Sequence, residues 1–199
     1  MISIEYYNKS AEEFFEKNHN LNLTDTYNFA MEYIPELGEG GLSILDVGCG
    51  TGRDAVEFAK KNHNVIGFDG SYRMTEIAIN QTKKYDNIKI LNSTFEDFEP
   101  ENVFDIIWAQ CSLLHVKYDC LGEIFKKYGL WLRDDNSVFF ISFKFGVMRH
   151  RVDGERKFTD LTADSLVSAL KGTNLKLSGY KIVESNNQKF ILGILKKEG

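Results

Sequence analysis

The chain has 199 residues, of which 43% are hydrophobic and 27% charged, so it is long enough for one globular domain with a buried core. Its net charge of −5 at pH 7 argues against a nucleic-acid partner, because an acidic surface repels phosphate backbones. The sequence shows no signal-peptide pattern or membrane-spanning apolar run, and its three cysteines lack paired or metal-binding spacing, so we expect a cytoplasmic protein with no metal site.

Two helices are predicted ahead of the first strand. One begins at Ser10, because Ser10 and Glu13 have the spacing of a capping box. The second places apolar residues at helical spacing before Pro35, and residues 36–41 follow as a loop. The apolar positions of this second helix are Tyr27, Ala30, Met31 and Ile34.

Runs typical of strands then alternate with segments of helical periodicity. The predicted strands are residues 43–47, 64–68, 88–92, 104–109 and 138–143. Such alternation predicts a parallel sheet, because parallel neighbours need a crossover helix between them.

The end of the chain has a different pattern. A helix capped near Thr162 is followed by strand-like runs at 176–184 and 189–195, joined only by residues 185–188. So short a link permits a hairpin and excludes a crossover helix. We therefore expect seven strands ending in an antiparallel pair.

The most informative segment is the glycine-rich turn after the first strand. Asp46 precedes three alternating glycines, Gly48, Gly50 and Gly52, and Arg53 follows them. Glycines permit a tight turn and a ligand lying against the backbone. A dinucleotide fingerprint would need a glycine at position 53, and a phosphate P-loop would need a Lys-Ser or Lys-Thr pair, so neither pattern matches.

An acid before the glycines and a cation after them suit a zwitterionic ligand. Asp46 can face an ammonium group, while Arg53 and the helix-end N–H groups can face a carboxylate. The methionine end of S-adenosylmethionine is such a zwitterion. A second acid, Asp69, ends the next strand 21 residues beyond Gly48, where a carboxylate can accept hydrogen bonds from ribose hydroxyls.

These two landmarks carry a family resemblance. The sequence D-V-G-C-G-T-G at 46–52 resembles motif I of the class I S-adenosylmethionine-dependent methyltransferases, and the resemblance covers residues 42–197. It implies a doubly wound, Rossmann-like α/β fold whose seven-stranded sheet is mostly parallel with a C-terminal antiparallel hairpin. It also implies a set of cofactor-binding residues: Asp46, Gly48, Cys49, Gly50, Arg53, Asp69 and Gly70.

Further cofactor contacts follow from the same resemblance. The family commonly has an acid for the adenine amine after the third strand, where this chain has Thr94. Phe95 could then pack on adenine and Glu96 or Asp97 make the polar contact, although a phenylalanine in such a loop is more often a core residue. The backbone of Ala109 and Gln110 is expected to border the sulfonium.

The segment after the fourth strand bears on the substrate. Residues 109–112 lack the acid or asparagine, prolines and aromatic of DNA amino-methyltransferases, and resemble instead small-molecule enzymes similar to those of tellurite resistance and quinone biosynthesis. His115 is the candidate general base, since imidazole titrates near neutral pH. The alternative is a histidine hydrogen-bonded for structural reasons.

Two segments outside the motifs complete the expected site. Residues 1–41 are expected to form a helical cap on a core of residues 42–199 within a single domain, with Tyr7 closing over the cofactor. Residues 144–158 hold five lysines or arginines against two acids, which predicts an anionic substrate or else a solvated loop. The candidate substrate-binding residues of this segment are Arg149, Arg151 and Arg156.

Taken together, the sequence predicts an S-adenosylmethionine-dependent methyltransferase that acts on a small molecule as a monomer or homodimer, by in-line transfer that depends on alignment and exclusion of water. Two alternatives stay open. One is a module that binds S-adenosylmethionine without catalysis. The other is a nicotinamide-dependent oxidoreductase, in which Asp69 would bind ribose equally well.

Overall fold

A computed structural model describes residues 2–34, 41–185 and 187–198. Of the loop predicted at 36–41, all but Gly41 lies outside these residues. The strands are β1 (Ser43–Val47), β2 (Asn64–Asp69), β3 (Ile88–Asn92), β4 (Ile106–Ala109), β5 (Val138–Lys144), β6 (Arg151–Asp153), β7 (Arg156–Phe158), β8 (Leu175–Ser185) and β9 (Gln188–Lys197). The helices are α1 (Ile2–Asn18), α2 (Thr24–Met31), α3 (Arg53–Ala59), α4 (Tyr72–Thr82), α5 (Tyr118–Gly129) and α6 (Ala163–Ala169).

Seven of these strands form one sheet in the order β3-β2-β1-β4-β5-β9-β8. The first five are parallel, β9 runs antiparallel to β5, and β8 runs antiparallel to β9. Asp46 lies opposite Gly67 of β2 and Trp108 of β4. The terminal acids of β1 and β2 therefore point to the same edge of the sheet, where open α/β sheets bind ligands.

Helices cover both faces of the sheet. Residues of α5 and α6 join one buried cluster with Phe68 and Phe139, and residues of α2 and α3 join another with Trp108 and Phe140. All four residues of β4 are buried, as expected for a central parallel strand between two layers of helices. The predicted doubly wound sheet with its antiparallel hairpin is thus confirmed.

The predicted start of the first helix is wrong. The helix begins at Ile2, and Ser10, with φ −114° and ψ 16°, marks a kink inside it. Tertiary contacts hold the turns before Ser10: the Ser71 hydroxyl donates to Asn8 Oδ1 at 2.7 Å, and Ile4 packs where a Cβ on Gly70 would lie. These contacts are far apart in sequence, so the local capping pattern could not reveal them.

The basic segment at 144–158 is more regular than a solvated loop. It contains the antiparallel pair β6–β7, in which Arg151 lies opposite Phe158 and Asp153 opposite Arg156. The helix capped by Thr162 is confirmed, since α6 begins there with a capping box to Ser165. Across the described part of the chain, no helix combines the length and apolar character needed to cross a membrane.

Candidate functional site

A cavity of about 420 Å³ opens at the carboxyl edge of the sheet, beneath the first half of α1. Its lining combines the glycine-rich turn, the ends of β1 and β2, the loops after β3 and β4, and residues of α1, β5, β7, β8 and β9. Of the predicted cofactor residues, eleven line it: Tyr7, Asp46, Gly48, Cys49, Gly50, Arg53, Asp69, Gly70, Thr94, Phe95 and Gln110.

Two glycines of the turn, Gly48 and Gly50, have different surroundings. Gly48 has φ +64°, and a Cβ there would come within 2.5 Å of the Cβ of Ser112, so packing demands a glycine. Gly50 has φ +54°, but a Cβ there would meet no atom within 4 Å. The turn therefore leaves open space above Gly50, into which a ligand could pack against the backbone.

Asp69 holds this turn against the end of β2. Its Oδ2 accepts from the backbone N–H of Gly50 at 3.0 Å, and its Oδ1 accepts from that of Ser71 at 2.8 Å. Burial raises the pKa of the Asp69 carboxyl, while the two N–H groups oppose that rise. Carboxylate oxygens have further lone pairs, so the same group can accept from a ligand in the cavity.

Asp46 is a buried carboxyl without full compensation. Its side chain is 2% exposed, and Oδ2 finds no hydrogen-bond partner among the described residues. Burial, and next the charge of Asp54, raise its pKa well above the usual range. A buried acid of this kind is costly unless a cation or donor comes to it.

Arg53 does not supply that donor to Asp46 in the structure. Its Nε donates to Asp54 Oδ1 at 2.7 Å, and its Nη1 donates to the carbonyl of Asn18 at 3.4 Å. The orphaned Asp46 oxygen and the open space at Gly50 therefore both fit a ligand with a cationic group lying along the turn.

Only some of the predicted residues in β4 and in the loops after β3 and β4 line the cavity. Thr94 lines it and donates to Asp97 Oδ2 at 2.7 Å, and Phe95 packs near Gly48. Glu96 and Asp97 are exposed and lie outside the lining, because the loop turns both to solvent. Ala109 is fully buried inside β4 and is not part of the lining either.

Two polar groups of the loop after β4 have unmet hydrogen-bonding capacity. Gln110 Oε1 and Ser112 Oγ are buried, line the cavity and find no partner among the described residues. Buried polar atoms are nearly always satisfied in native proteins, so both are candidates for contact with a ligand.

His115 lines the cavity opposite Tyr7. The Tyr7 hydroxyl and His115 Nε2 are 2.9 Å apart, and His115 Nδ1 lies 2.8 Å from the carbonyl oxygen of Lys157. Burial lowers the pKa of His115 to about 4 and raises that of Tyr7 to about 12. Both side chains are therefore uncharged at neutral pH.

The three arginines predicted to bind an anion separate in the structure. Arg156 lines the cavity, whereas Arg149 stacks over the Tyr118 ring at 3.9 Å and Arg151 pairs with Asp160 at 3.0 Å, both outside the lining. Arg151 is held by the Asp160 carboxylate, which follows β7, and so does not reach the lining. Lys144 at the end of β5, which the sequence analysis did not select, lines the cavity beside Arg156.

The remaining lining residues that the sequence missed are mostly apolar and lie far apart in the chain. Apolar examples are Phe14 of α1, Phe158 of β7, Val183 of β8, and Phe190 and Leu192 of β9. No local motif marks such residues, because only the assembled sheet brings them together. Among the described residues, no cluster of three or more histidines, cysteines or acids could hold a metal ion.

Comparison with known sequences points the same way as this geometry. Residues 44–135 match the family model described as a methyltransferase domain. Pavine N-methyltransferase of Thalictrum flavum subsp. glaucum is 30% identical over 130 residues, 62% of this chain and 36% of that protein. Phosphoethanolamine N-methyltransferase 1 of Zea mays is 28% identical over 112 residues, 54% of this chain and 22% of that protein. The chain thus covers about a third or less of the length of these two relatives.

A solved structure shows the same fold over the whole chain. It is 1,6-didemethyltoxoflavin-N1-methyltransferase of Burkholderia thailandensis, with bound 1,6-didemethyltoxoflavin and S-adenosylhomocysteine. The TM-score is 0.82 at 15% identity, covering 100% of this chain and 88% of that one. Residues 44–135 thus resemble a methyltransferase domain, and the whole chain shares the fold of this S-adenosylhomocysteine-bound methyltransferase.

Proposed function

We propose that this protein transfers a methyl group from S-adenosylmethionine to a small molecule. The observation that carries the proposal is the convergence of Asp46, the glycine turn and Asp69 on one cavity of about 420 Å³, which continues past them to Tyr7, His115 and Arg156. A cavity of this size fits a nucleoside ligand together with part of a second small molecule.

Different residues of the cavity would bind different parts of S-adenosylmethionine. Asp69 would accept hydrogen bonds from the ribose hydroxyls, and Asp46 would receive the ammonium group that its unpartnered oxygen lacks. Phe95 would pack on the adenine, and the open side of Gly50 would let the ligand lie along the turn. Arg53 is the candidate for the carboxylate.

S-adenosylmethionine, when bound, supplies a methyl group attached to a cationic sulfur. The leaving group is then a neutral thioether. The protein has then to align the acceptor and keep water out, rather than to activate the donor. The first half of α1 serves the second task, because Ser3, Ile4 and Tyr7 line the cavity from above. Aromatic rings such as Tyr7 and Phe14 also favour a nearby cation.

The acceptor is proposed to carry a negative charge. Arg156 and Lys144 are the cations in the lining on the side away from the glycine turn, and Arg156 Nε is buried without a partner among the described residues. Guanidinium groups hold carboxylates and phosphates through charge-assisted hydrogen bonds. We also propose a cytoplasmic location, which suits the free thiols of Cys49, Cys111 and Cys120, a single domain, and a monomer or homodimer.

The test has a binding arm and a transfer arm. Titration calorimetry with S-adenosylhomocysteine should show one site per chain, and NAD should show none. Labelled S-adenosylmethionine with a protein-free small-molecule extract should then yield a labelled product bearing a carboxylate or phosphate. Binding without any labelled product would favour a non-catalytic module, and binding of NAD alone would favour an oxidoreductase.

Asp46→Asn is expected to stabilise the protein while it weakens the binding of S-adenosylhomocysteine. Removing a buried charge that lacks a partner should raise the free energy of unfolding by roughly 1–2 kcal/mol. Loss of a charged partner for the ammonium should weaken affinity by about 10- to 100-fold, which corresponds to about 1.5–3 kcal/mol. Urea denaturation and calorimetry measure the two effects.

The difference in stability between Asp46→Asn and wild type should change with pH in a direction that can be measured. The pKa of Asp46 is raised by folding, so its ionisation destabilises the folded protein as pH rises. The stability advantage of Asp46→Asn should therefore grow as pH rises through the raised pKa of Asp46 and shrink below it, where Asp46 is protonated. Asp86→Asn, at an exposed acid, is the control and should change neither quantity; a loss of stability in Asp46→Asn would contradict the argument.

A further inference from the structure

Tyr7 and His115 form a hydrogen-bonded pair whose direction the structure fixes. A carbonyl oxygen can only accept, so the 2.8 Å contact between His115 Nδ1 and the carbonyl of Lys157 requires the hydrogen on Nδ1. In the neutral imidazole Nε2 is then an acceptor, and the Tyr7 hydroxyl donates to it at 2.9 Å. The phenol oxygen of Tyr7 keeps its own lone pairs for a donor in the cavity.

The pair lies among charges that keep it from taking up a proton in the protein alone. Burial, opposed by the hydrogen bond to Lys157, lowers the pKa of His115 to about 4, and the positive charges of Arg156 and Lys144 lower it further. Burial is the main cause of the raised pKa of Tyr7; Arg156 opposes it through its charge and a hydrogen bond, and the charges of Asp69 and Tyr6 raise the pKa slightly further.

The two cations are built into the same wall as the imidazole. The guanidinium of Arg156 lies 5.1 Å from the centre of the Phe158 ring, and Lys144 Nζ lies 4.3 Å from it. The Phe158 ring packs against His115 at a centroid distance of 4.9 Å. Arg156 also donates to Asp153 at 3.2 Å, yet its Nε has no partner in the described chain.

We propose that Tyr7 and His115 take up the proton of the methyl acceptor, and that an anionic group of the acceptor seated against Arg156 and Lys144 switches the pair on. This inference rests on the function proposed above. It assigns Tyr7 as the group that touches the acceptor and His115 as the group on which the proton finally resides.

The transfer balances as follows. A lone pair on the acceptor's heteroatom forms the new bond to the methyl carbon, and the electrons of the carbon–sulfur bond remain on the sulfur, which becomes neutral. The heteroatom's proton passes to the Tyr7 oxygen, while the proton already on Tyr7 passes to His115 Nε2. The positive charge that began on the sulfonium thus ends on the imidazolium of His115.

The anionic group is what makes this last step possible. An imidazolium beside Arg156 and Lys144 in a buried site is disfavoured, because Asp153 offsets only part of their positive charge. An anion held by those cations offsets their charge and adds an attraction of its own, so the imidazole accepts a proton more readily. A neutral analogue without the anionic group would leave His115 at its lowered pKa, and the pair would discriminate against it.

The electrostatic half of the proposal is tested on the protein by itself. In histidine-labelled protein, NMR titration should show His115 neutral with its proton on Nδ1 down to well below pH 6. Arg156→Gln should raise the midpoint of that titration, because one of the opposing cations is gone. Arg149→Gln, on the same segment but outside the cavity, should leave it unchanged. If His115 titrated with the same midpoint in Arg156→Gln as in wild type, the proposed coupling between Arg156 and His115 would be wrong.

The catalytic half is tested with labelled S-adenosylmethionine and the protein-free extract. Tyr7→Phe keeps the ring against Phe14 and His115 and should lower the initial rate of methyl transfer about 100-fold at neutral pH, a loss typical of general base catalysis. The deficit should shrink as pH rises and the acceptor loses its proton unaided. Tyr180→Phe, at an exposed tyrosine, should match wild type.

A purely structural tyrosine would give a different profile. The ratio of wild-type to Tyr7→Phe rates would then stay constant over the whole pH range, and that outcome would overturn the relay. Affinity for S-adenosylhomocysteine should be the same in both proteins. Failure of wild type to bind that nucleoside or to methylate any component of the extract would instead reject the proposed function.

Discussion

Asp69→Ala is expected to weaken the binding of S-adenosylhomocysteine by about 100- to 1,000-fold while the protein remains folded. The carboxylate would accept hydrogen bonds from two ribose hydroxyls, and each bond to a charged group contributes about 1.5–3 kcal/mol. Asp69 also holds the backbone N–H groups of Gly50 and Ser71, so its loss loosens the turn on which the ligand lies. Titration calorimetry measures the change.

Asp97→Ala is the matched control for this variant. Asp97 is an acid in the next loop at the same edge, but it is exposed and its side chain accepts from Thr94. We expect its affinity to stay within about threefold of wild type, as for surface substitutions generally. An Asp69→Ala protein that binds as tightly as Asp97→Ala would exclude Asp69 from ribose recognition.

The wild-type protein should show a matching pH dependence. The pKa of Asp69 is raised by burial, so the carboxylate is lost at a higher pH than for an ordinary aspartate. Affinity should accordingly fall as pH is lowered through that raised pKa. In Asp69→Ala this part of the pH dependence should be absent.

The cofactor half of the candidate site could be predicted from the sequence because its signals are local. An apolar run that ends in Asp46 and breaks into Gly48 encodes the strand, the acid and the turn within a few residues. The same holds for the strand that ends in Asp69. Since parallel strands present their carboxyl ends at one edge, predicting both strands was enough to predict that the two acids meet there.

The acceptor half could not be predicted in the same way. Its wall is assembled from α1, the end of β5, the β6–β7 hairpin and β9, which are distant in sequence. The excess of basic residues at 144–158 was visible, but which cation faces the cavity depends on the hairpin register that opposes Asp153 to Arg156. The kink at Ser10 likewise depends on contacts of α1 with Ser71 and Gly70.

Asp54→Ala is expected to lower the free energy of unfolding by about 3–5 kcal/mol, because it leaves buried donors without their acceptor. Asp54 is 4% exposed. It accepts from the Tyr27 hydroxyl at 2.8 Å, from Trp108 Nε1 at 2.8 Å and from Arg53 Nε at 2.7 Å. These bonds join α2, the central strand β4 and the start of α3. Urea denaturation with and without S-adenosylhomocysteine measures the loss.

Glu57→Ala is the control on the same helix. It removes one carboxylate without removing the buried hydrogen bonds that Asp54 accepts. Glu57 pairs with Lys60 at 2.5 Å, but both side chains are about half exposed, so its removal should cost less than about 1 kcal/mol. Equal losses in the two variants would mean that Asp54 does not anchor α2 to the sheet.

Asp54→Ala should also change the cavity. Arg53 lines it beside Asp46, and without Asp54 the Arg53 side chain loses the neighbour that holds it in place. Affinity for the nucleoside should therefore fall together with stability in Asp54→Ala, whereas in Asp46→Asn the two change in opposite directions.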